Sequence, residues 1–261
     1  MHKIAFLNLS HKTVSVDLIC IMKFMEKVLA AYCFLWDLII LVLGLLACTT
    51  NYSWLSQVEE FGRDDGFTVM VLDNRGFPNS DAPFARYTTG DMALDVMDVL
   101  NYVGWTEDNS VHLIGVSMGG MISLEIANYY PERLASLMLL STSAGELSNF
   151  PPLNGLLVVT RSLVESLLGI DLPNARTHRI VSMLFPRSWL DEERQGNTNG
   201  ITNAEYIEPI FNWRSDFSLR PTIHGVTSQV FACMTHHVSG QSLQDINRNI
   251  PKIAIHTGDC E

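Results

Sequence analysis

Five residues, Gly115-Val116-Ser117-Met118-Gly119, set a hydroxyl between two glycines at the end of an apolar run and the start of a helical pattern ("VHLIGVSMGGMISLEIA", Val111 to Ala127). A strand that turns this abruptly into a helix forces strained backbone at the apex. Only small neighbours such as Gly115 and Gly119 fit where strand and helix then meet. The new helix aims its first backbone N–H groups at the place where a tetrahedral oxyanion would form. The chemistry such a turn serves is nucleophilic attack on a carbonyl. A serine hydroxyl attacks poorly until a base takes its proton, so the pattern asks for a histidine and an acid to orient it.

The chain has eight histidines. His112 lies inside the strand that leads to Ser117, and His256 lies in the last apolar run; both are expected to be sheet residues. His2 and His11 fall near the N-terminus. His178, His224, His236 and His237 belong to a long segment between two strands, where solvated or core-satisfied roles are expected. The tandem His236-His237 lacks the i, i+4 spacing of a helical metal pair, so no metal site is expected. None of the eight is identified as the base. Glycine motifs that cradle phosphates are absent as well: there is no Gly-x-Gly-x-x-Gly and no Gly-Lys-Ser/Thr ending.

The elements around Ser117 follow from periodicity. "WLSQVEEF" sets Trp54, Val58 and Phe61 on one helical face, and "DMALDVMDVLNYV" does the same with Met92, Val96, Val99 and Val103. "FTVMVLD" (Phe67 to Asp73), "SVHLIG" and "LASLMLLST" (Leu134 to Thr142) are apolar runs of strand length. "MISLEIANYY" is a helix that Pro131 ends. Strands alternating with helices imply an α/β fold: a mostly parallel sheet with helices on both faces. The alternation stops for about a hundred residues of helical or irregular character, including "GLLVVTRSLVESLLGI", the loop "RQGNTNGITN" and "SLQDINRNI". It resumes at "PKIAIHTGD". The expected organisation is a core of residues 38–146 and 250–261 with a helical lid, 147–249, inserted before the last strand. Such a lid covers the carboxyl edge of the sheet, where open α/β sheets bind ligands.

Composition excludes some functions. A formal charge of −11 over 261 residues argues against nucleic acid as a partner, because phosphate binding needs clustered Lys and Arg. Apolar residues make up 47%, enough for a sizeable core. The five cysteines are scattered, as expected for reduced thiols in a cytoplasmic protein. Val28 to Cys48 is apolar apart from Asp37 and long enough to span a membrane, with Lys23 and Lys27 before it. Burying Asp37 near the centre of such a span costs about 2.5–3.5 kcal/mol. The alternative, a buried strand over Leu38 to Leu43, carries no such cost and is the favoured reading. A single N-terminal span is the other localisation.

"VHLIGVSMGGMISLEIANYYPERLASLMLLST" resembles the nucleophile elbow, helix and following strand of the α/β-hydrolase superfamily, in its lid-bearing esterase-like branch. "VLDNRGFPNSDAP" is similar to that family's Asp-x-Arg-Gly-x-Gly-x-Ser loop, with Pro78 in place of the second glycine. "LVLGLLACTTNYSWLSQVEEFG" resembles the strand, oxyanion loop and first helix, with Leu43-Gly44 where His-Gly is common. The resemblance covers Leu38 to Glu261, and residues 1–37 have no counterpart in it. It implies Ser117 as nucleophile, the backbone N–H groups of Leu45 and Met118 as oxyanion hole, and Glu261, next to Asp259, on the acid position. It places the histidine after one further strand, beyond Glu261, so a C-terminally truncated chain with an impaired serine hydrolase activity is expected. The implied substrate is a small apolar or acyl molecule with an ester or similar bond, and no cofactor or metal is implied. Epoxide hydrolases and dehalogenases of this fold use an aspartate, against which Ser117 argues. Two alternatives stand beside this reading: a non-catalytic acyl-ligand binding module, and a membrane-anchored hydrolase-like protein.

Overall fold

The computed structural model of the protein describes residues 37–42 (backbone only), 54–63, 66–77, 79–145, 161, 164–165, 173–194, 200–216 and 222–257. Leu45, Glu261, Asp259, Pro78 and most of "GLLVVTRSLVESLLGI" lie outside the described residues. Five parallel strands form one sheet: β1 Asp37–Val42, β2 Phe67–Leu72, β3 Val111–Val116, β4 Leu134–Leu140 and β5 Ile253–His256. Their spatial order is β2-β1-β3-β4-β5. The strand expected over Leu38 to Leu43 is therefore present one residue earlier and sits between β2 and β3, with Ile39 opposite both Val69 and His112. A strand in the middle of Val28 to Cys48 is incompatible with one continuous helix through it. Among the described residues no helix is long and apolar enough to cross a membrane.

The strands show why both faces had to be covered. Met70, Leu113, Leu137 and Leu139 point into one apolar cluster, and their neighbours Val71, Ile114, Met138 and Leu140 point into another. That is period-two alternation with apolar side chains on both sides, the mark of a sheet buried between helical layers. Helices α2 (Thr89–Tyr102) and α3 (Met118–Tyr129) fill the first face with Met92, Val96, Met97, Leu100, Ile122 and Ile126. Helix α1 (Leu55–Phe61) closes the second with Trp54 and Phe61. Helix α2 begins at a capping box: Thr88 Oγ1 accepts from the Asp91 N–H at 3.0 Å, and the Asp91 carboxylate accepts from the Thr88 N–H at 3.2 Å.

Between β4 and β5 lie α4 (Pro173–Leu184), α5 (Arg187–Asp191), α6 (Asn203–Asp216), α7 (Ile223–Thr235) and α8 (Gly240–Asn249). Helices α4 and α6 are joined by Thr177 Oγ1 donating to Asn212 Oδ1 at 2.6 Å and by His178 against Glu208 at 2.7 Å. Helix α7 is instead fastened to the loop that leaves β2. His224 bonds to the Ala82 carbonyl, while Ser228 and Gln229 donate to the Ala85 and Arg75 carbonyls. Gly225 lies so close to this loop that a Cβ there would stand 2.7 Å from the Gly76 carbonyl oxygen. Ala232 from α7, with Ile246 and Ile250 from α8 and the residue after it, joins the first core cluster.

Candidate active site

Ser117 stands between β3 and α3 with φ 54° and ψ −121°, a conformation that an L-residue adopts at a cost of about 1–3 kcal/mol. Its side chain is exposed while both elements flanking it are buried. Four bonds hold the backbone in this state. The Ser117 N–H donates to the Leu140 carbonyl at 2.9 Å, and the Ser117 carbonyl accepts from Thr142 Oγ1 at 2.7 Å and from the Gly120 and Met121 N–H groups at 3.0 and 3.2 Å. The turn is as tight as its sequence demands. A Cβ on Gly115 would stand 2.3 Å from Ser123 Oγ and 2.4 Å from the Gly119 carbonyl oxygen. One on Gly120 would stand 2.5 Å from the Thr142 side chain. Gly120, Ser123 and Thr142 thus complete the elbow, and the doubled glycine in "SMGGM" was their only trace in the sequence. Met118 opens α3, so its N–H has no partner four residues back and belongs to the positive end of the helix.

Of the expected companions of Ser117, Met118 follows it at the head of α3. Leu45 and Glu261 lie outside the described residues, and among the described residues no histidine is hydrogen-bonded to the Ser117 hydroxyl. His112 is buried in β3 and shares a 2.6 Å hydrogen bond through Nδ1 with Ser136 in β4, the residue opposite it. His256 is the last residue of β5. In the segment between β4 and β5, His178 is exposed beside Glu208, and His224 stacks on Phe84 at 4.1 Å between ring centres. His237 shares a 3.2 Å hydrogen bond with the Gly145 carbonyl.

His236 differs from these. Its side chain is fully buried, with Nδ1 2.8 Å from Thr89 Oγ1 and 3.3 Å from Glu125 Oε1. Thr89 Oγ1 in turn lies 2.9 Å from the same carboxylate oxygen. Burial pushes the Glu125 carboxyl upward, but the hydrogen bonds from His236 and Thr89 and the attraction of the ring outweigh it and hold the group below its ordinary range. Glu125 follows Ser117 by eight residues on α3, which at 1.5 Å per residue is about 12 Å along the helix. The histidine and acid that meet here are thus anchored well down the helix from the serine.

Burial pushes the Cys233 thiol up to about 12, so it is not a thiolate nucleophile at neutral pH. Among the described residues no group of three or more His, Cys, Asp or Glu is arranged to hold a metal ion.

A strained, exposed serine between a buried parallel strand and a helix defines the class of fold, and comparison with known proteins gives the family. The chain matches the model of the alpha/beta hydrolase fold family over residues 37–212 and belongs to that family. Among curated relatives it is similar to epoxide hydrolase 4 of Homo sapiens, 36% identical over 92 residues, which cover 34% of this chain and 24% of the relative. It is also similar to the putative carbamate hydrolase RutD of Variovorax paradoxus, 29% identical over 140 residues, 53% of this chain and 49% of the relative. The matched region therefore spans a quarter to a half of the length of these relatives. Among solved structures, a carboxylesterase of Nitrososphaera gargenis superposes with a TM-score of 0.60 at 16% identity, covering 86% of this chain and 73% of that one. The enol-lactonase of Burkholderia xenovorans LB400 gives 0.56 at 18%, covering 85% and 83%. At these identities the superpositions establish the shared fold.

Proposed function

We propose that the protein is a serine hydrolase acting on an ester or similar acyl bond of a small apolar or acyl molecule, with Ser117 as nucleophile. The observation that carries this reading is the backbone of Ser117. A non-glycine residue at φ 54° and ψ −121°, braced by Leu140 and Thr142 and yet exposed at its side chain, is strain retained where a hydroxyl is presented. Attack by Ser117 Oγ on a carbonyl would build negative charge on the carbonyl oxygen. The Met118 N–H at the head of α3, with the Leu45 N–H from the loop after β1, would hold that charge. Glu261 takes the acid position. The region between β4 and β5 acts as the lid that shapes the substrate pocket. A serine in this place favours acyl chemistry over the epoxide chemistry named for one relative.

A second reading, an acyl-ligand binding module without turnover, is favoured by one observation: no described histidine meets Ser117. In a serine protease, removing the histidine alone lowers kcat by about 2 × 10⁶ and leaves about 10³–10⁴ over water from binding and the oxyanion hole. A fluorophosphonate probe separates the readings, because it labels an activated serine. Slow labelling that disappears in Ser117→Ala is expected. Fast, stoichiometric labelling would mean that a base reaches the serine, and His224→Ala, His236→Ala and His237→Ala would identify it. No labelling together with no hydrolysis of a p-nitrophenyl ester would leave the binding module.

A further inference from the structure

The buried cluster on α3 takes no part in the chemistry just proposed, yet three segments of the chain converge on it. Thr89 is the first residue of α2, Glu125 lies in the body of α3, and His236 is the C-cap of α7. One arrangement of protons satisfies the cluster: Nδ1–H of His236 donates to Thr89 Oγ1, and that hydroxyl donates to the Glu125 carboxylate. The tautomer is assigned from this network. With a bare Nδ1 the Thr89 hydroxyl could donate to only one of its two acceptors, and the carboxylate would lose a donor. Nε2 is buried and has no hydrogen-bond partner among the described residues, so Nδ1 is the atom through which the ring acts.

The backbone at His236 is equally confined. Its carbonyl oxygen occupies the place a Cβ on Gly145 would need, at 1.8 Å, and the Val238 N–H donates to the Ala144 carbonyl at 2.8 Å. The first turns of α7 are held separately, by the bonds from His224, Ser228 and Gln229 to the loop after β2. The imidazole is therefore the side chain that ties the far end of α7 to the helix that begins at Ser117.

We propose that His236 is a positioning residue: by donating Nδ1–H to Thr89, whose hydroxyl donates to Glu125, it fixes the exit of α7 relative to the helix that carries Ser117, and so sets how substrate fits rather than how fast Ser117 attacks. The inference rests on reading the region between β4 and β5 as a lid and Ser117 as its reactive group. Loss of the donor leaves the chain folded around a loosened exit.

The test uses the full chain and compares His236→Asn, which keeps a donor near the position of Nδ1, with His236→Gln, which moves it toward Nε2. Thr89→Val removes the hydroxyl between ring and carboxylate. The first readout is hydrogen exchange at the Val238 amide, which needs no turnover. The second is kcat and KM for a p-nitrophenyl ester. We expect His236→Asn to keep Val238 protected within about threefold, and His236→Gln and Thr89→Val to lose about tenfold in protection, a change of about 1.4 kcal/mol. KM should rise about tenfold in the same two variants while kcat stays within about threefold. Equal protection of Val238 in all variants would overturn the proposal. So would a fall in kcat at unchanged KM in His236→Gln, which would make the ring part of the chemistry. If the unmodified chain and every variant alike fail to hydrolyse the ester, the reading of Ser117 fails, and the exchange measurement still decides whether Nδ1 holds the exit of α7.

Discussion

The two polar stations of helix α3 obey opposite rules. At its head, Ser117 is exposed, its backbone is strained, and its hydroxyl has no histidine partner among the described residues. Two turns on, Glu125 is mostly buried, its backbone is regular, and its carboxylate is met by His236 and Thr89. Strain at the first costs about 1–3 kcal/mol. Hydrogen bonds to a charged group such as those at the second contribute about 1.5–3 kcal/mol each. The helix is tied to α2 and α7 at the second station, while the first is held by its own backbone bonds to Leu140 and Thr142. A polar side chain is therefore better judged by what it lacks than by what it is.

Substitutions at four positions test that contrast, in order of their expected effect on stability. Gly115→Ala should cost about 3 kcal/mol or more in urea unfolding, because the added methyl meets the Gly119 carbonyl oxygen, backbone that cannot turn aside. A cost under about 0.5 kcal/mol would show the elbow to be far looser than its geometry. Glu125→Ala should cost about 2 kcal/mol at neutral pH by stripping Thr89 of its acceptor. Its pH dependence has a definite sign. A carboxyl held below its ordinary range contributes stability that is present above the unfolded-state value and is lost as pH falls through the folded-state value. Thermal melts of Glu125→Gln should lack that acid limb; an unchanged limb would assign it to other carboxylates.

At the other station the sign reverses. Ser117→Gly should gain about 1 kcal/mol, since glycine adopts a positive φ freely, less its own entropic cost. The same variant should take up no fluorophosphonate label. A destabilised Ser117→Gly would show that the serine is not strained in the sense argued. Tyr129→Ser, at the exposed last residue of α3, belongs to neither station and should stay within about 0.5 kcal/mol of the parent.

How much of this was legible in the sequence depends on distance along the chain. The elbow could be read because strand, small residues, serine and helix are contiguous, and each is needed by its neighbour. β1 could be read from "LIILVL" because an unbroken apolar run of strand length suits a parallel sheet covered on both faces. The cluster at Glu125 could not be read. Its members lie 36 and 147 positions from Thr89, and only the fold brings them together. The tandem His236-His237 lacks the spacing of a helical metal pair, and its buried member lies instead against Thr89 and Glu125. Gly225 gave no signal either. Its need to be glycine comes from the Gly76 loop, which the sequence motif marked without showing that α7 would pack against it. Leu45 and Glu261 stand as the sequence left them.

The bonds that brace Ser117 have a consequence in time. Its carbonyl waits for Thr142, 25 residues downstream, and the Ser141 N–H beside Thr142 bonds in turn to the carbonyl of His256 at the end of β5. On the ribosome the serine is made long before the strand that steadies its support. The strained turn is therefore among the last features to set, after β4 and β5 have joined the sheet. Interactions formed that late act on the rate of unfolding and barely on the rate of folding. Thr142→Val should hasten unfolding while refolding proceeds at its ordinary pace. Unchanged unfolding in Thr142→Val would show that the strained turn is set earlier, before β5 joins the sheet.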